Sequence, residues 1–417
     1  MHENGNFLPR LISWNLTFSC NLRCPHCYID ASESAGARGG ERRGGERRRE
    51  RRRGENAGGG ENAGGGENAG GEAGAGELST AEGKELIDQI AEVSKPILIL
   101  SGGEPLLRDD LFELAHYAAK EKGLTVGLGT NGTLISDSVA RDLKSCGVSA
   151  VAVSLDSSSP ERHDAFRGVK GAWKRALEGI AACRRNGIAV QVNTTVTQQN
   201  YGEIYEIMKL AERVGATAFH LFFLVPTGRG VKMKDISAEK YEQMLAEVLQ
   251  KVAAGKTKLA LRPVCAPQFM RIALQQKGLD LKKRRWTRGC LAGLTYCRIY
   301  PTGEVTPCPY LPLKVGSVRE THFKEIWFNS PVLKSLRDFD NLKGKCGVCE
   351  YRAVCGGCRA RAYGLTSFVD VCGGLQEPAE LSGDFLAEEP WCPYIPLGRE
   401  EGEEGEEGER GERGDKN

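Results

Sequence analysis

The sequence predicts an α/β protein, a partial (β/α)6 barrel followed by a C-terminal cysteine-rich iron–sulfur domain. Strand-like and helix-like segments alternate six times between Leu11 and Pro226. Most of the fifteen cysteines fall into two groups, one near the N-terminus and one from Cys290 onward. Serial βα units form a parallel sheet, and in barrels of this kind the chemistry collects at the C-terminal ends of the strands.

Composition narrows the class of protein. The 417 residues carry a formal net charge of +2, which argues against a nucleic-acid binder driven by bulk charge. No apolar run is long enough for a membrane helix. Met1–Arg10 lacks the basic and apolar regions of a secretory signal, so we expect a cytoplasmic protein. In a reducing compartment, clustered cysteines indicate metal or cluster ligands rather than disulfides.

The first strand leads into a cysteine loop. Leu11–Ser19 alternates apolar and polar residues, as a half-buried strand does. Cys20, Cys24 and Cys27 follow directly, and Tyr28 comes next. Three thiolates can hold three irons of a 4Fe–4S cluster and leave the fourth iron open. The spacing also allows a zinc site, or two structural thiols and a spare.

Two segments have almost no apolar side chains to bury. Ser34–Gly76 and Arg399–Asn417 consist mainly of Gly, Glu, Arg and Asn, a composition that predicts disorder. The alternative is that the arginines of the insertion bind an acidic partner or nucleic acid. The predicted organisation is therefore barrel (1–33 and 77–235), disordered insertion (34–76), bridging helices (236–289), cysteine-rich domain (290–396) and disordered tail (397–417).

Later strands end in small or polar residues. Ser79 and Glu82 fit a capping box at a helix start, and the next strand runs into a Gly-Gly-Glu-Pro turn. Polar residues follow three further strands, where they suit a ligand but serve equally as turn residues. The residues concerned are Gly102, Gly103, Glu104, Thr130, Asn131, Ser154, Asp156, Asn193 and Thr195.

Other residues allow two interpretations or none. Arg167 either binds a ligand carboxylate or pairs with a neighbour. Cys146 and Cys183 resemble small buried hydrophobes, and Cys265 has no partner at ligand spacing. Lys282–Trp286 is either a solvated helix end or a docking patch for a substrate with several carboxylates.

The second cysteine group surrounds a predicted β-hairpin with its turn at Pro301–Gly303. Its cysteines could fill two 4Fe–4S clusters. A zinc ribbon on Cys346, Cys349, Cys355 and Cys358 is the alternative, but it would leave the flanking cysteines without a role. The eight are Cys290, Cys297, Cys308, Cys346, Cys349, Cys355, Cys358 and Cys392.

The motifs together resemble those of radical S-adenosylmethionine (SAM) enzymes with a SPASM domain. The resemblance implies a 4Fe–4S cluster on the first three cysteines, with SAM on its open iron. It also implies a SAM wall of Tyr28 and the polar strand ends, in which the Gly-Gly-Glu backbone and acid grip the SAM amino group.

The same resemblance implies one or two auxiliary 4Fe–4S clusters in an interleaved pattern, one on Cys290, Cys297, Cys308 and Cys358, the other on Cys346, Cys349, Cys355 and Cys392. The short Cys355–Cys358 spacing and an additional Cys372 depart from the family pattern.

Local likenesses, such as Thr130-Asn-Gly-Thr-Leu-Ile and Phe222-Phe-Leu-Val-Pro-Thr-Gly-Arg-Gly, resemble the haem-biosynthesis branch. They imply oxidative decarboxylation of iron-coproporphyrin III to haem b through a 5′-deoxyadenosyl radical. The implied partners are an iron tetrapyrrole substrate and a flavodoxin- or ferredoxin-type electron donor, without nucleic acid or membrane. A peptide maturase of the same superfamily is the main alternative, and an iron–sulfur electron carrier is the non-enzymatic one.

Overall fold

The computed structural model describes residues 7–31, 76–276, 287–366 and 383–397. Most of the insertion predicted at 34–76 lies outside the described residues. So do Lys282–Trp286, Cys372 and the tail from 398 onward.

One ten-stranded sheet organises the described residues, in the order β10-β9-β8-β1-β2-β3-β4-β5-β6-β7. Strands β8 and β1 to β7 pair in parallel, while β9 and β10 extend the β8 edge in antiparallel fashion. The strands are β1 (Leu11–Asn15), β2 (Ile97–Ser101), β3 (Thr125–Thr130), β4 (Val148–Ser154), β5 (Ala189–Val196), β6 (Ala218–Phe223), β7 (Ala260–Val264), β8 (Tyr296–Ile299), β9 (Glu304–Thr306) and β10 (Gly316–Ser317).

The predicted α/β class and parallel sheet are confirmed, and the parallel part is longer than six strands. β7 contains Pro263, which cannot donate a ladder hydrogen bond and which hid this edge strand from pattern reading. β8 was expected only as one arm of the hairpin. It is that arm, since it pairs antiparallel with β9, and it also lies parallel beside β1.

The helices alternate with the parallel strands and then cover the cysteine-rich part. The capping box is confirmed, since Ser79 and Glu82 exchange side-chain to backbone hydrogen bonds at the start of the first helix. The helices are α1 (Thr80–Val93), α2 (Leu111–His116), α3 (Asp137–Ser145), α4 (Pro160–Arg167), α5 (Ala172–Arg185), α6 (Ile204–Arg213), α7 (Ala238–Ala253), α8 (Phe269–Gln275), α9 (Phe323–Asn329), α10 (Pro331–Arg337), α11 (Gly344–Val348) and α12 (Arg359–Thr366).

The two faces of the sheet differ in chemistry, because successive side chains of a strand point to opposite faces. On the outer face, Ile12, Leu98 and Val126 are completely buried, and the neighbouring Trp14 ring packs against Gly83 of α1. On the inner face, Ser154, Asn193, His220 and Arg262 stand side by side on β4 to β7 and are half-buried. The inner face is therefore the one on which polar side chains can meet a ligand.

No helix among the described residues is long and apolar enough to cross a membrane.

Candidate functional site

The cysteine loop follows β1 at the C-terminal edge of the sheet. Cys20 and Cys24 are buried and Cys27 is half-buried. Each sulfur receives a hydrogen bond: Leu22 N donates to Cys20 Sγ at 3.4 Å, Arg167 Nη1 to Cys24 Sγ at 3.7 Å and Ala31 N to Cys27 Sγ at 3.4 Å. Donors aimed at three neighbouring sulfurs suit thiolates that carry negative charge on a metal cluster.

Burial raises the pKa of the Cys20 thiol to about 12, and the neighbouring Cys24 and Cys27 contribute to that rise. The free thiol is therefore protonated at neutral pH, and a metal must displace its proton on binding.

The Gly-Gly-Glu turn after β2 packs directly on this loop. Gly103 N donates to Thr17 O and Glu104 N donates to Ser19 O, each at 2.8 Å. A Cβ on Gly103 would lie 2.7 Å from the carbonyl carbon of Ser19, and one on Gly102 would lie 2.6 Å from Thr17 O. The two glycines let this turn approach the backbone of Thr17 and Ser19 closely, and their expected contact with SAM stays a prediction.

The carboxylate of Glu104 already has protein partners. It is completely buried and accepts hydrogen bonds from Thr130 Oγ1 at 2.7 Å, Asn131 N at 2.9 Å and Leu106 N at 3.3 Å. Burial raises its pKa to about 7, and these donors oppose the rise. Glu104 thus joins the ends of β2 and β3, and its expected contact with the SAM amino group stays a prediction.

The Thr-Asn-Gly-Thr segment after β3 also holds the loop. Asn131 Nδ2 donates to Asn21 Oδ1 at 2.8 Å, and Asn21 Nδ2 donates to Thr133 Oγ1 at 2.9 Å. Asn21 lies between the first two cysteines. Asn131 thus positions the cysteine loop through its own side chain, whereas Thr130 Oγ1 donates to Glu104; their places on the SAM wall stay predictions.

Arg167 connects β4 to the second cysteine. Its guanidinium forms an ion pair with Asp156 and donates to Cys24 Sγ at 3.7 Å. Burial opposes the charge on Arg167, but Asp156 and Cys24 beside it raise its pKa above the usual value. Of the two interpretations of Arg167, the structure shows pairing with a neighbour. Its helix, α4, was not foreseen.

A further contact comes from the segment after β6, which belongs to the Phe222–Gly230 run that resembles the haem-biosynthesis branch. Arg229 Nε donates to Cys24 O at 3.0 Å, and Arg229 N donates to Cys27 O at 3.0 Å. Gly228 has φ +55, and a Cβ there would lie 2.5 Å from Cys27 O. Only a residue without a side chain fits this left-handed approach.

The remaining residues of the expected SAM wall lie on or beside the inner face. Ser154 and Asn193 occupy the polar row described above, and Thr195 lies two residues further along β5. Tyr28 accepts a hydrogen bond from Asn15 Nδ2 at 2.9 Å, and its ring lies 5.4 Å from that of Tyr310. All of these remain expectations as SAM contacts.

In the cysteine-rich part, four cysteines line one small pocket. They are Cys346, Cys349, Cys355 and Cys392, the set that the interleaved pattern assigns to one auxiliary cluster. Cys358 turns away from this pocket because Gly356 and Gly357 both adopt positive φ, +75 and +57. The two glycines thus allow cysteines three residues apart to serve different sites.

The other expected set is only partly assembled. Cys290, Cys308 and Cys358 lie together. Burial is the main cause that raises the pKa of the Cys308 thiol to about 12, and the neighbouring thiols of Cys290 and Cys358 raise it further. Cys297 is not brought to them. It is completely buried on the outer face of β8, paired with Ile12.

These cysteines do not form a site for a single ion. Among the parts of the chain that the structure describes, no three Cys, His, Asp or Glu side chains converge as single-metal ligands do. A zinc ion needs four ligands at about 2.0–2.3 Å, whereas an iron–sulfur cluster takes thiolates at its separate corners. The assembled sets of four and three thiols match the thiolate ligands that an iron–sulfur cluster takes.

Comparisons with known proteins agree with this chemistry. The model of the "Radical SAM superfamily" matches residues 14–211, and that of SPASM, an "Iron-sulfur cluster-binding domain", matches residues 290–358. The AdoMet-dependent heme synthase of Methanosarcina barkeri is 41% identical over 396 residues, which cover 93% of this chain and 97% of that protein. The pre-heme d1 synthase of Dinoroseobacter shibae is 33% identical over 404 residues, covering 92% and 85%.

Among solved structures, Streptococcus suis SuiB bound to S-adenosylmethionine has a TM-score of 0.63, covering 85% of this chain and 74% of SuiB. At 16% identity this likeness shows the fold alone.

The chain belongs to the radical SAM superfamily and carries a SPASM domain. Its cofactors are accordingly SAM and 4Fe–4S clusters. Within the superfamily it belongs to the branch of haem-synthesis enzymes, because its similarity to the heme synthase extends over nearly the full length of both proteins.

Proposed function

We propose that this protein converts two propionate side chains of iron-coproporphyrin III into vinyl groups and so forms haem b. The observation that carries the proposal is the 41% identity to the AdoMet-dependent heme synthase over 97% of that protein. The haem-synthesis relatives support a tetrapyrrole substrate over a ribosomal peptide.

We assign Cys20, Cys24 and Cys27 as the ligands of the SAM-binding cluster. Once bound, the cofactors supply a 5′-deoxyadenosyl radical that takes a hydrogen atom from the propionate β-carbon, and an acceptor for the one electron that each loss of CO2 releases. The protein supplies position and shielding, which are its usual share of cofactor chemistry.

The residues around the cysteine loop stabilise its charge and fix its backbone. Arg167 and the Leu22 and Ala31 amides balance the charge on the cysteine sulfurs. The carbonyls of Cys24 and Cys27 are fixed by Arg229. A reacting group displaced by even 1 Å can lose about 100-fold in rate, so a loop held from several strand ends serves this chemistry.

Anaerobic turnover with SAM, a reductant and iron-coproporphyrin III tests the proposal. We expect products lighter by one and then two formic-acid equivalents, together with 5′-deoxyadenosine. Cys24→Ala should form neither product. Formation of 5′-deoxyadenosine without any change in the porphyrin mass would refute the proposed substrate, and its formation by Cys24→Ala would refute the ligand assignment.

A further inference from the structure

Cys265 lies immediately after β7, beside the incomplete cysteine set. Burial raises the pKa of its thiol, and the thiols of Cys358, Cys308 and Cys290 raise it further, so the four sulfurs are close neighbours. The backbone contacts agree. A Cβ on Gly289, which precedes Cys290, would lie 2.7 Å from Pro267 Cα.

A buried ion pair joins Cys265 to Cys358. Arg361 Nη2 donates to Cys265 O at 3.2 Å, and Arg361 Nη1 pairs with Glu389 Oε1 at 3.1 Å. Glu389 Oε2 in turn accepts from Cys358 N at 2.5 Å. Tyr241 donates to the same Cys265 carbonyl at 2.6 Å. These contacts fix both cysteine backbones within one network.

Cys297 lies on the wrong face of the sheet to join them. Its strand neighbour is the completely buried Ile12, and the charged group that affects its thiol is Arg337 of α10. The next residue, Arg298, points to the opposite face, where its guanidinium lies 5.7 Å from the Tyr28 ring. Moving the Cys297 sulfur to the other face would require a one-residue slip of β8.

We propose that Cys265, not Cys297, is the fourth ligand of the auxiliary cluster held by Cys290, Cys308 and Cys358. Four thiolates complete the ligand set of a 4Fe–4S cluster. Sequence spacing hides this ligand, because Cys265 precedes the other three by a whole segment and belongs to the strand end of the barrel.

The test measures iron rather than turnover. In full-length protein with Cys20, Cys24 and Cys27 replaced by Ala, only the auxiliary clusters remain to be reconstituted. Cys265→Ser should lose up to about four irons per chain or give the EPR signal of a three-iron cluster. Cys297→Ala and the buried control Cys183→Ala should keep full iron and sulfide. Equal iron in Cys265→Ser and the control, with native far-UV circular dichroism, would overturn the proposal, as would loss of iron from Cys297→Ala alone.

A second inference, which rests on the proposed function, concerns Arg298. Arg298 is completely buried on the inner face of β8. Its Nε donates to Thr306 Oγ1 at 3.2 Å, while Nη1 and Nη2 have no hydrogen-bond partner among the described residues. Its guanidinium lies 3.6 Å from the Tyr300 ring centre. The two free guanidinium nitrogens match the two oxygens of a carboxylate.

Arg262 is a second, half-buried arginine on the same face. The residue pairs between β8 and β1, and onward from β1 to β5, place Arg298 on the same face of the sheet as Asn193. Asn193 pairs with His220, and His220 pairs with Arg262, so these residues share that face. Burial lowers the pKa of Arg262, and within the described ranges it makes no ion pair. We infer that Arg298, together with Arg262, binds substrate carboxylates.

Absorption titration with iron-coproporphyrin III tests this inference without turnover. Arg298→Met, which keeps the side-chain volume, should weaken binding about tenfold or more, because a charge-assisted hydrogen-bond pair is lost. Its thermal stability should not fall, since the change removes an unpaired buried charge. The exposed control Arg141→Met should bind as the wild type does. Unchanged binding in Arg298→Met, or a large loss of stability, would contradict the inference, whereas failure of the wild type to bind would count against the proposed substrate.

Discussion

Substitution of Gly103 by alanine should dislodge the cysteine loop. The new Cβ would overlap the Ser19 carbonyl oxygen and lie 2.7 Å from the carbonyl carbon, whereas ordinary contacts begin at 3.4 Å, so the loop must move by more than about 0.7 Å. The clash lies between the two 2.8 Å hydrogen bonds that join this turn to Thr17 and Ser19. Leaving two buried groups unsatisfied costs about 1–3 kcal/mol each, or about 2–6 kcal/mol together.

That loss is a large part of the roughly 5–15 kcal/mol that stabilises a typical domain. We therefore expect Gly103→Ala apo-protein to unfold at lower urea concentration, as followed by circular dichroism. After anaerobic reconstitution it should lack the same share of iron that Cys24→Ala lacks. Gly202→Ala is the matched control, because a Cβ there meets nothing within 4 Å. If Gly103→Ala matches this control in urea midpoint and in iron, the packing argument is wrong.

Three further predictions concern stability. His163 is buried, and its Nδ1 accepts from Asp156 N at 3.2 Å; burial lowers its pKa to about 3. Because the unfolded chain binds this proton near pH 6.5, stability should fall with acidification below that value, by up to about 2 kcal/mol at pH 5. In urea titrations at pH 7 and pH 5, His163→Gln should lack this pH-dependent loss of unfolding free energy. A pH response identical to that of the wild type would contradict the assignment. Glu389→Gln leaves the fully buried Arg361 without its ion-pair partner and should lower the free energy of unfolding by about 3–5 kcal/mol. The double variant Arg361→Met, Glu389→Met should lose less than the sum of its two single changes. Additive losses in urea unfolding would exclude coupling between the two residues. Ser79→Ala removes the side-chain acceptor of the α1 cap and should cost about 1 kcal/mol in urea unfolding; no change would show that the cap is redundant.

The fold was accessible from sequence because its signals are local. Period-two strands, a capping box and glycine-containing turns each lie within a few residues. β7 was missed because Pro263 interrupts its pattern, and α4 because its eight residues carry few apolar side chains. The alternation of side chains along a strand also predicts that the neighbours Cys297 and Arg298 face opposite sides of the sheet. This consequence was not used when Cys297 was assigned to a cluster.

The partners of the site residues were less accessible. The sequence placed Glu104 and Asn131 at strand ends, but their contacts are chosen by packing between strands. The contact between Arg229 and Cys24 spans 205 residues. Cys265 presented the same difficulty, because its cysteine neighbours come from later parts of the chain. Polar contacts across such separations leave no periodicity to read.

The contact between Arg229 and Cys24 also bears on how the protein is made. Synthesis proceeds from the N-terminus at about 5–20 residues per second, so the 205 residues between these partners take about 10–40 s to emerge. During that interval the first three cysteines exist without the arginine that later fixes their backbone. The backbone of this loop therefore gains its Arg229 contacts only after residue 229 has been synthesised.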